Sequence, residues 1–158
     1  MRAVIQRVAS ASVRTADGLA GEIGPGLVVL VSVARDDTSA DCVWLAQKIV
    51  RLRVFPDPAG GHAGGRAGEM SRSVIDTAGD LLVVSQFTLH ASVHKGTRPS
   101  FNDAAPPQAA EPLYEEFILQ LQTALGHPVQ TGRFGAMMRV ALVNDGPVTL
   151  IIDTRQKD

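Results

Sequence analysis

The chain has 158 residues, 45% hydrophobic and 20% charged, with 15 Lys and Arg against 16 Asp and Glu for a formal charge of −1. These figures describe one globular domain over residues 1–158 and exclude a disordered chain, while the near-neutral balance argues against gripping nucleic acid by bulk electrostatics. The longest apolar run, Leu27 to Val31, is too short for a bilayer, no secretory leader opens the chain, and the single Cys42 excludes an internal disulfide framework, so a cytoplasmic protein with no membrane partner is expected.

Residues 2–14 mix Val, Ile and small residues as a strand does, and Asp17-Gly18 is a hairpin dipeptide. A short strand over 19–23 and a turn at Gly24-Pro25-Gly26 lead into LVVLVSV (27–33), a run suited to a strand buried on both faces. Thr38-Ser39-Ala40-Asp41 has the form of a capping box with Asp in place of Glu or Gln, and the apolar spacing after it predicts a helix to about Arg53. Cys42, near the start of that helix, reads as an inert, partly buried thiol. Pro56 to Glu69 is rich in glycine. Gly60 and Gly65 have phosphate-loop spacing, but Arg66-Ala67 stands where Lys and Ser/Thr are needed, so a flexible surface loop is predicted.

LLVVSQF (81–87) predicts another buried strand, and 88–105 then lacks any period; so long a loop in a compact domain is often functional. Pro106-Pro107 opens a second helix with Leu113, Phe117, Leu121 and Leu125 on one face, stopped by Gly126 and Pro128. The chain ends as strand (137–143), turn at Asn144-Asp145-Gly146-Pro147, and strand (148–153). The pattern as a whole is an α+β domain with a curved, largely antiparallel, barrel-like sheet and two main helices.

Familiar catalytic patterns are missing. The chain has no GxSxG and no HExxH, and His90 and His94 sit four apart in a loop without an evident third ligand. Nothing in the sequence calls for a metal or cofactor. Two oddities remain. Ser85-Gln86-Phe87-Thr88-Leu89 places polar side chains at the exit of a buried strand; either Phe87 and Leu89 alternate inward, or the strand end is a site. Asp145-Gly146-Pro147 reads locally as an ordinary hairpin turn, and no local feature favours a cis peptide.

Taken in order, the opening MRAVIQRV, GEIGPGLVVLV, WLAQKI, SQFTL (85–89), KGTRPSF (95–101), TGRFGAMM (131–138) and NDGPVTL (144–150) resemble the D-aminoacyl-tRNA deacylases of bacteria and eukaryotes, a chirality-proofreading family. The resemblance implies an esterase that frees a D-amino acid from the terminal ribose of tRNA, acting as a homodimer with sites at the subunit interface. It assigns Ser85, Gln86, Phe87 and Thr88 to one subunit's site. A cis Gly146-Pro147 would reach in from the partner, with Arg7 holding that loop and Phe134 and Met138 near the terminal adenine. Lys95 and Arg98, with Arg133 and Arg139, are expected to meet phosphates near the acceptor end. Since no base stands at a motif-like distance from Thr88, water attack aided by the ribose 2′-hydroxyl is expected instead of a threonine nucleophile. Three positions depart from the family pattern: Arg72 replaces a leucine, the glycine-rich segment before it looks longer than usual, and His90 stands where tyrosine is frequent.

Overall fold

A computed structural model describes residues 1–157. Strand β1 (Arg2–Thr15) turns at Asp17 into β2 (Gly18–Ile23), and β3 (Gly26–Ser32) follows. Helix α1 (Ser39–Arg51) comes next, then the short pair β4 (Phe55–Pro56) and β5 (Met70–Arg72), and then β6 (Asp80–Ser85). Helix α2 (Pro107–Leu125), β7 (Gln130–Thr131) and β8 (Arg139–Asp153) complete the chain. The Asp variant of the capping box forms: the Asp41 carboxylate accepts from the Thr38 backbone N–H at 2.9 Å. Gly126 ends α2 in the left-handed conformation, at φ 87°.

The main sheet runs β2-β1-β3-β6-β7, with β8 also paired to β1. The three partners of β1 are antiparallel to it, while β3–β6 and β6–β7 are parallel. The sheet is therefore mixed, and it curls almost into a barrel. At the seam, β2 backs onto β7 so closely that a Cβ on Gly21 would stand 2.8 Å from the Thr131 carbonyl oxygen. Only glycine lets the two backbones meet there.

Both apolar runs are buried on both faces, as their composition requires. Leu27, Val29 and Val31 of β3 and Leu81 and Val83 of β6 pack toward the helices, against Leu45, Ile49, Phe117 and Leu121. Val28, Leu82 and Val84 point the other way, into a second cluster with Val8, Val13 and Ile23. The strand period of two feeds two cores from one run.

Two local expectations are corrected, and the glycine-rich surface loop proves to have a buried centre. The strand over 81–87 stops at Ser85, and a 3-10 turn spans Phe87–His90. Phe87 accordingly does not alternate inward; it is 57% exposed. The C-terminal strand–turn–strand is one strand. Asn144 pairs with Val8 and Thr149 with Gln6, so residues 145–148 bulge out opposite the single residue Arg7. The Asn144 side chain closes the bulge, accepting from Val148 N–H at 2.9 Å and donating to the Thr149 hydroxyl at 3.2 Å. With its base tied, the chain resumes its old direction along β1. Lastly, the glycine-rich loop is built around Asp57, which is buried. Its carboxylate accepts from His62 N–H at 3.0 Å, and its carbonyl accepts from the N–H groups of Gly60 and Gly68 at 3.3 and 2.8 Å. Four glycines with positive φ, at 60, 61, 64 and 68, allow the chain to wrap round it.

Candidate active site

A cavity of about 650 Å³ opens where β3 and β6 end, beneath the N-terminus of α2. Strand ends suit such a site because the ladder stops there and leaves peptide groups free. Gln86 N–H still reaches back to the Val31 carbonyl at 2.8 Å, and from that point the backbone leaves the sheet for the 3-10 turn. The first N–H groups of a helical turn have no partner within it. Among the described residues no acceptor meets the N–H of Phe87 or of Thr88.

Ser85, Gln86 and Phe87 line the cavity, and Phe134 and Met138 form part of the facing wall. Sequence segments some fifty residues apart thus meet at one cavity. The Phe134 ring lies 5.5 Å from that of Tyr114, whose hydroxyl donates to the Val83 carbonyl at 3.2 Å. Burial pushes the Tyr114 phenol up to about 12, so it stays a neutral donor. The Met138 sulfur fills the space beside Gly132, where a Cβ would lie 2.5 Å from it. Thr88 is linked to the wall through Gln86, whose side-chain amide donates to the Thr88 hydroxyl at 2.5 Å. An amide is not a base, and this contact does nothing to activate the hydroxyl.

Arg7, Gly146 and Pro147 come together elsewhere. The Gly146-Pro147 peptide is cis, and neither residue lines the cavity. Arg7, buried in the sheet, donates from Nε to the Asp145 carbonyl at 2.8 Å and from Nη1 to the Val54 carbonyl at 2.5 Å. It ties the bulge to the body of the domain. Lys95 and Arg98 lie in an exposed loop pinned by a bridge between Ser92 and Ser100. Arg133 is paired with Asp17 at 2.5 Å.

Sequence reasoning missed four contributors. Phe101 meets Phe87 edge to face, 5.1 Å between centroids, and together they form an aromatic rim. Arg35 is the one cation among the lining residues and is steadied by the Asn102 carbonyl at 2.5 Å. Tyr114 and Ser32 also reach the cavity. Only Phe101 carried a signal, as an aromatic within a polar loop; Tyr114 and Ser32 come from a helix and a strand whose apolar periodicity masked them, and Arg35 lies in the turn between β3 and α1 with nothing to single it out. Cys42 is buried, donates to the Leu113 carbonyl at 3.3 Å and is pushed up to about 12 by burial and by Glu116, which disposes of it as a nucleophile.

The cavity offers a largely apolar lining, aromatic edges and unpaired backbone donors, and one serine–histidine contact at its edge, where the Ser32 hydroxyl stands 2.6 Å from Nδ1 of the buried His90 and 3.3 Å from the Phe87 carbonyl oxygen. That set can polarise a carbonyl and stabilise an oxyanion. The family model for D-Tyr-tRNA(Tyr) deacylase matches residues 4–153. A D-aminoacyl-tRNA deacylase of Opitutus terrae is 58% identical over the full length of both chains, and one of Parabacteroides distasonis is 50% identical over the same span. Among solved structures, one described as c-Myc DNA Unwinding Element Binding Protein is 38% identical with a TM-score of 0.85, covering 98% of this chain and 99% of its own. Another, described as a probable eukaryotic D-amino acid tRNA deacylase, is 17% identical with a TM-score of 0.79, covering 96% and 97%, and shows the shared fold.

Proposed function

The chain belongs to the D-aminoacyl-tRNA deacylase family, a family of hydrolases, and from that premise we propose that it cleaves both D-aminoacyl- and glycyl-tRNA at an interface between two copies of itself. The observation that carries this reading is the pair of free N–H groups at Phe87, which lines the largely apolar cavity, and at Thr88, which follows it in the turn without lining the cavity itself. They would receive the negative charge that builds on the ester carbonyl oxygen; one such donor contributes about 2.7–4 kcal/mol to the barrier. Water, oriented by the ribose 2′-hydroxyl of the substrate, attacks that carbonyl. The bond to the ribose 3′-oxygen breaks, and free amino acid and tRNA result.

Chirality is set by exclusion. A hydrophobic pocket gains only about 1–3 kcal/mol per methylene and cannot fit every D side chain. Backbone carbonyls of Gly146 and Pro147, held rigidly by Arg7, would instead occupy the space an L side chain needs. Glycine has no side chain to exclude, so glycyl-tRNA is also a substrate. These carbonyls belong to the partner in this reading, because in their own subunit neither residue lines the cavity. The other support is β8 itself: among the described residues it pairs only with β1, and Ile151, 71% exposed, and Val143 lie open along it. An open strand edge with exposed apolar groups favours a two-fold pairing with a second copy.

The tRNA acceptor end is the partner nucleic acid, contacted by Lys95 and Arg98 from the rim loop. A formal charge of −1 leaves binding weak and salt-sensitive. Action in the cytoplasm fits a chain in which no helix among the described residues is long and apolar enough to cross a membrane.

Single-turnover deacylation of D-tyrosyl-, L-tyrosyl- and glycyl-tRNA, side by side, tests the proposal. Release of D-tyrosine and glycine with L-tyrosine spared is the expected result. Cleavage of all three removes the chiral filter, and binding of tRNA without any cleavage leaves a binding module in place of an enzyme.

A further inference from the structure

Beneath the 3-10 turn lies a buried polar pair that the chemistry above does not use. His90, 4% exposed, closes the turn, and its Nδ1 stands 2.6 Å from the hydroxyl of Ser32 at the end of β3. The same hydroxyl is 3.3 Å from the Phe87 carbonyl oxygen. A serine hydroxyl has one proton to give. If it goes to the Phe87 carbonyl, His90 must donate from Nδ1, and the chain runs from imidazole N–H to hydroxyl to carbonyl. The buried Nε2 has no hydrogen-bond partner. In this tautomer that atom is a bare lone pair; in the other it would be an orphaned N–H, a rarer state in protein interiors. Burial and the neighbouring Arg2 hold the imidazole below its usual value, so it is neutral at pH 7. The N-terminal ammonium acts in the same direction, against Asp37 and Asp153.

The consequence lies in peptide geometry. The Phe87 carbonyl and the Thr88 N–H are opposite ends of one planar unit. Drawing the carbonyl inward to Ser32 turns the N–H to the opposite side of the turn. Arg2 fastens the same turn farther along, donating from Nη1 to the Leu89 carbonyl at 2.7 Å. We propose that His90, acting through Ser32, is a positioning residue for deacylation: it fixes the peptide plane whose N–H meets the substrate carbonyl. This rests on the deacylase reading above and adds to it His90, which does not line the cavity and acts through Ser32, which does.

The test uses the whole chain and enzyme in excess over D-tyrosyl-tRNA. Ser32→Ala and His90→Ala should each slow the saturated chemical step roughly tenfold, since a displaced donor acts on the transition state. The enzyme concentration at half-saturation should not move. The double variant should be no slower than either single one, because the two residues act as one unit. His90→Asn, whose amide can supply the same donor, should return the rate to within about twofold of wild type. Unchanged rates, losses that multiply, or an Asn variant as slow as Ala would each overturn the inference. Should His90→Ala not fold, Ser32→Ala and His90→Asn still decide it. A second readout needs no turnover. Nitrogen-15 spectra of histidine-labelled protein should show one of the four imidazoles neutral and protonated at Nδ1, and Ser32→Ala should shift the Thr88 amide; a signature protonated at Nε2, or an unmoved Thr88 amide, counts against it. An inactive wild type would defeat the deacylase reading, whereas an active wild type indifferent to Ser32→Ala defeats this one.

Discussion

Two places in this sheet abandon regular β geometry, and they do so by opposite means. At the end of β6 the chain leaves the ladder, tightens into a 3-10 turn and frees two peptide N–H groups beside a cavity. In the middle of β8 it stays in the ladder on both sides and throws four residues, 145–148, outward opposite Arg7. The first departure is fastened from below by Val31, Ser32 and Arg2; the second is tied at its base by Asn144 and gripped by Arg7. Each is rigid. The difference is that the turn has an enclosure within its own subunit and the bulge does not, which is why the proposed mechanism needs two copies of the chain.

Breaking the tether of the bulge gives the largest expected effect. Arg7→Ala strands a buried Val54 carbonyl and releases Asp145. Urea unfolding should show a loss of about 2–4 kcal/mol, and deacylation should fall by about a hundredfold or more. Arg7→Lys should rescue little, because a single ammonium cannot reproduce two donors held in fixed directions. A stable, active Arg7→Ala would mean that the bulge holds its own shape.

Mixing subunits sharpens the same comparison. Gly146→Ala places a side chain at φ +141°, 2.8 Å from the Val148 side chain, and spoils the bulge. Phe87→Pro removes one free N–H and the rim ring, at a helical first position that tolerates proline. Each variant alone should be nearly inactive. Unfolded and refolded together, they should recover about a quarter of wild-type activity, since half the dimers are mixed and each holds one intact site. No recovery, with mixed dimers demonstrated, would place both elements in one subunit's chemistry.

Smaller effects discriminate within the turn. Thr88→Ala leaves the backbone N–H in place and removes a hydroxyl that only accepts from Gln86. The chemical rate should fall by less than about threefold; a loss of several orders of magnitude with the fold intact would restore threonine as nucleophile. Smallest of all, the Cys42 thiol, buried and raised to about 12, should resist a neutral-pH disulfide reagent in native protein and react fully in urea.

Much of this architecture could be read from residue order. LVVLV and LLVV are apolar at every position, and strands of that kind need cover on two faces, which two amphipathic helices and a curled sheet supply. Thr38 and Gly126 marked the helix ends because capping is chemistry between neighbours. The SQFTL segment and Gly146-Pro147 stood out by resemblance, and the cavity and the bulge are where those residues lie. The hydrogen bonding around Asp57 was not legible, because glycine composition does not show that a buried aspartate gathers the surrounding N–H groups.

Local periodicity, caps and turn residues depend on contacts a few positions apart, and sequence alone determined them here. Tertiary structure alone decided the rest. That β8 is one strand with a bulge instead of a hairpin depends on β1 offering partners on both sides of Arg7. That Phe87 is exposed depends on β6 stopping at Ser85, two residues early, where Val31 takes the Gln86 N–H and Ser32 the Phe87 carbonyl. That His90 meets Ser32 depends on β3 and β6 lying parallel, so that their C-terminal ends coincide. In each case the deciding partner lies tens of residues away in sequence, and the hydrogen bond that fixes the geometry exists only once the sheet has closed.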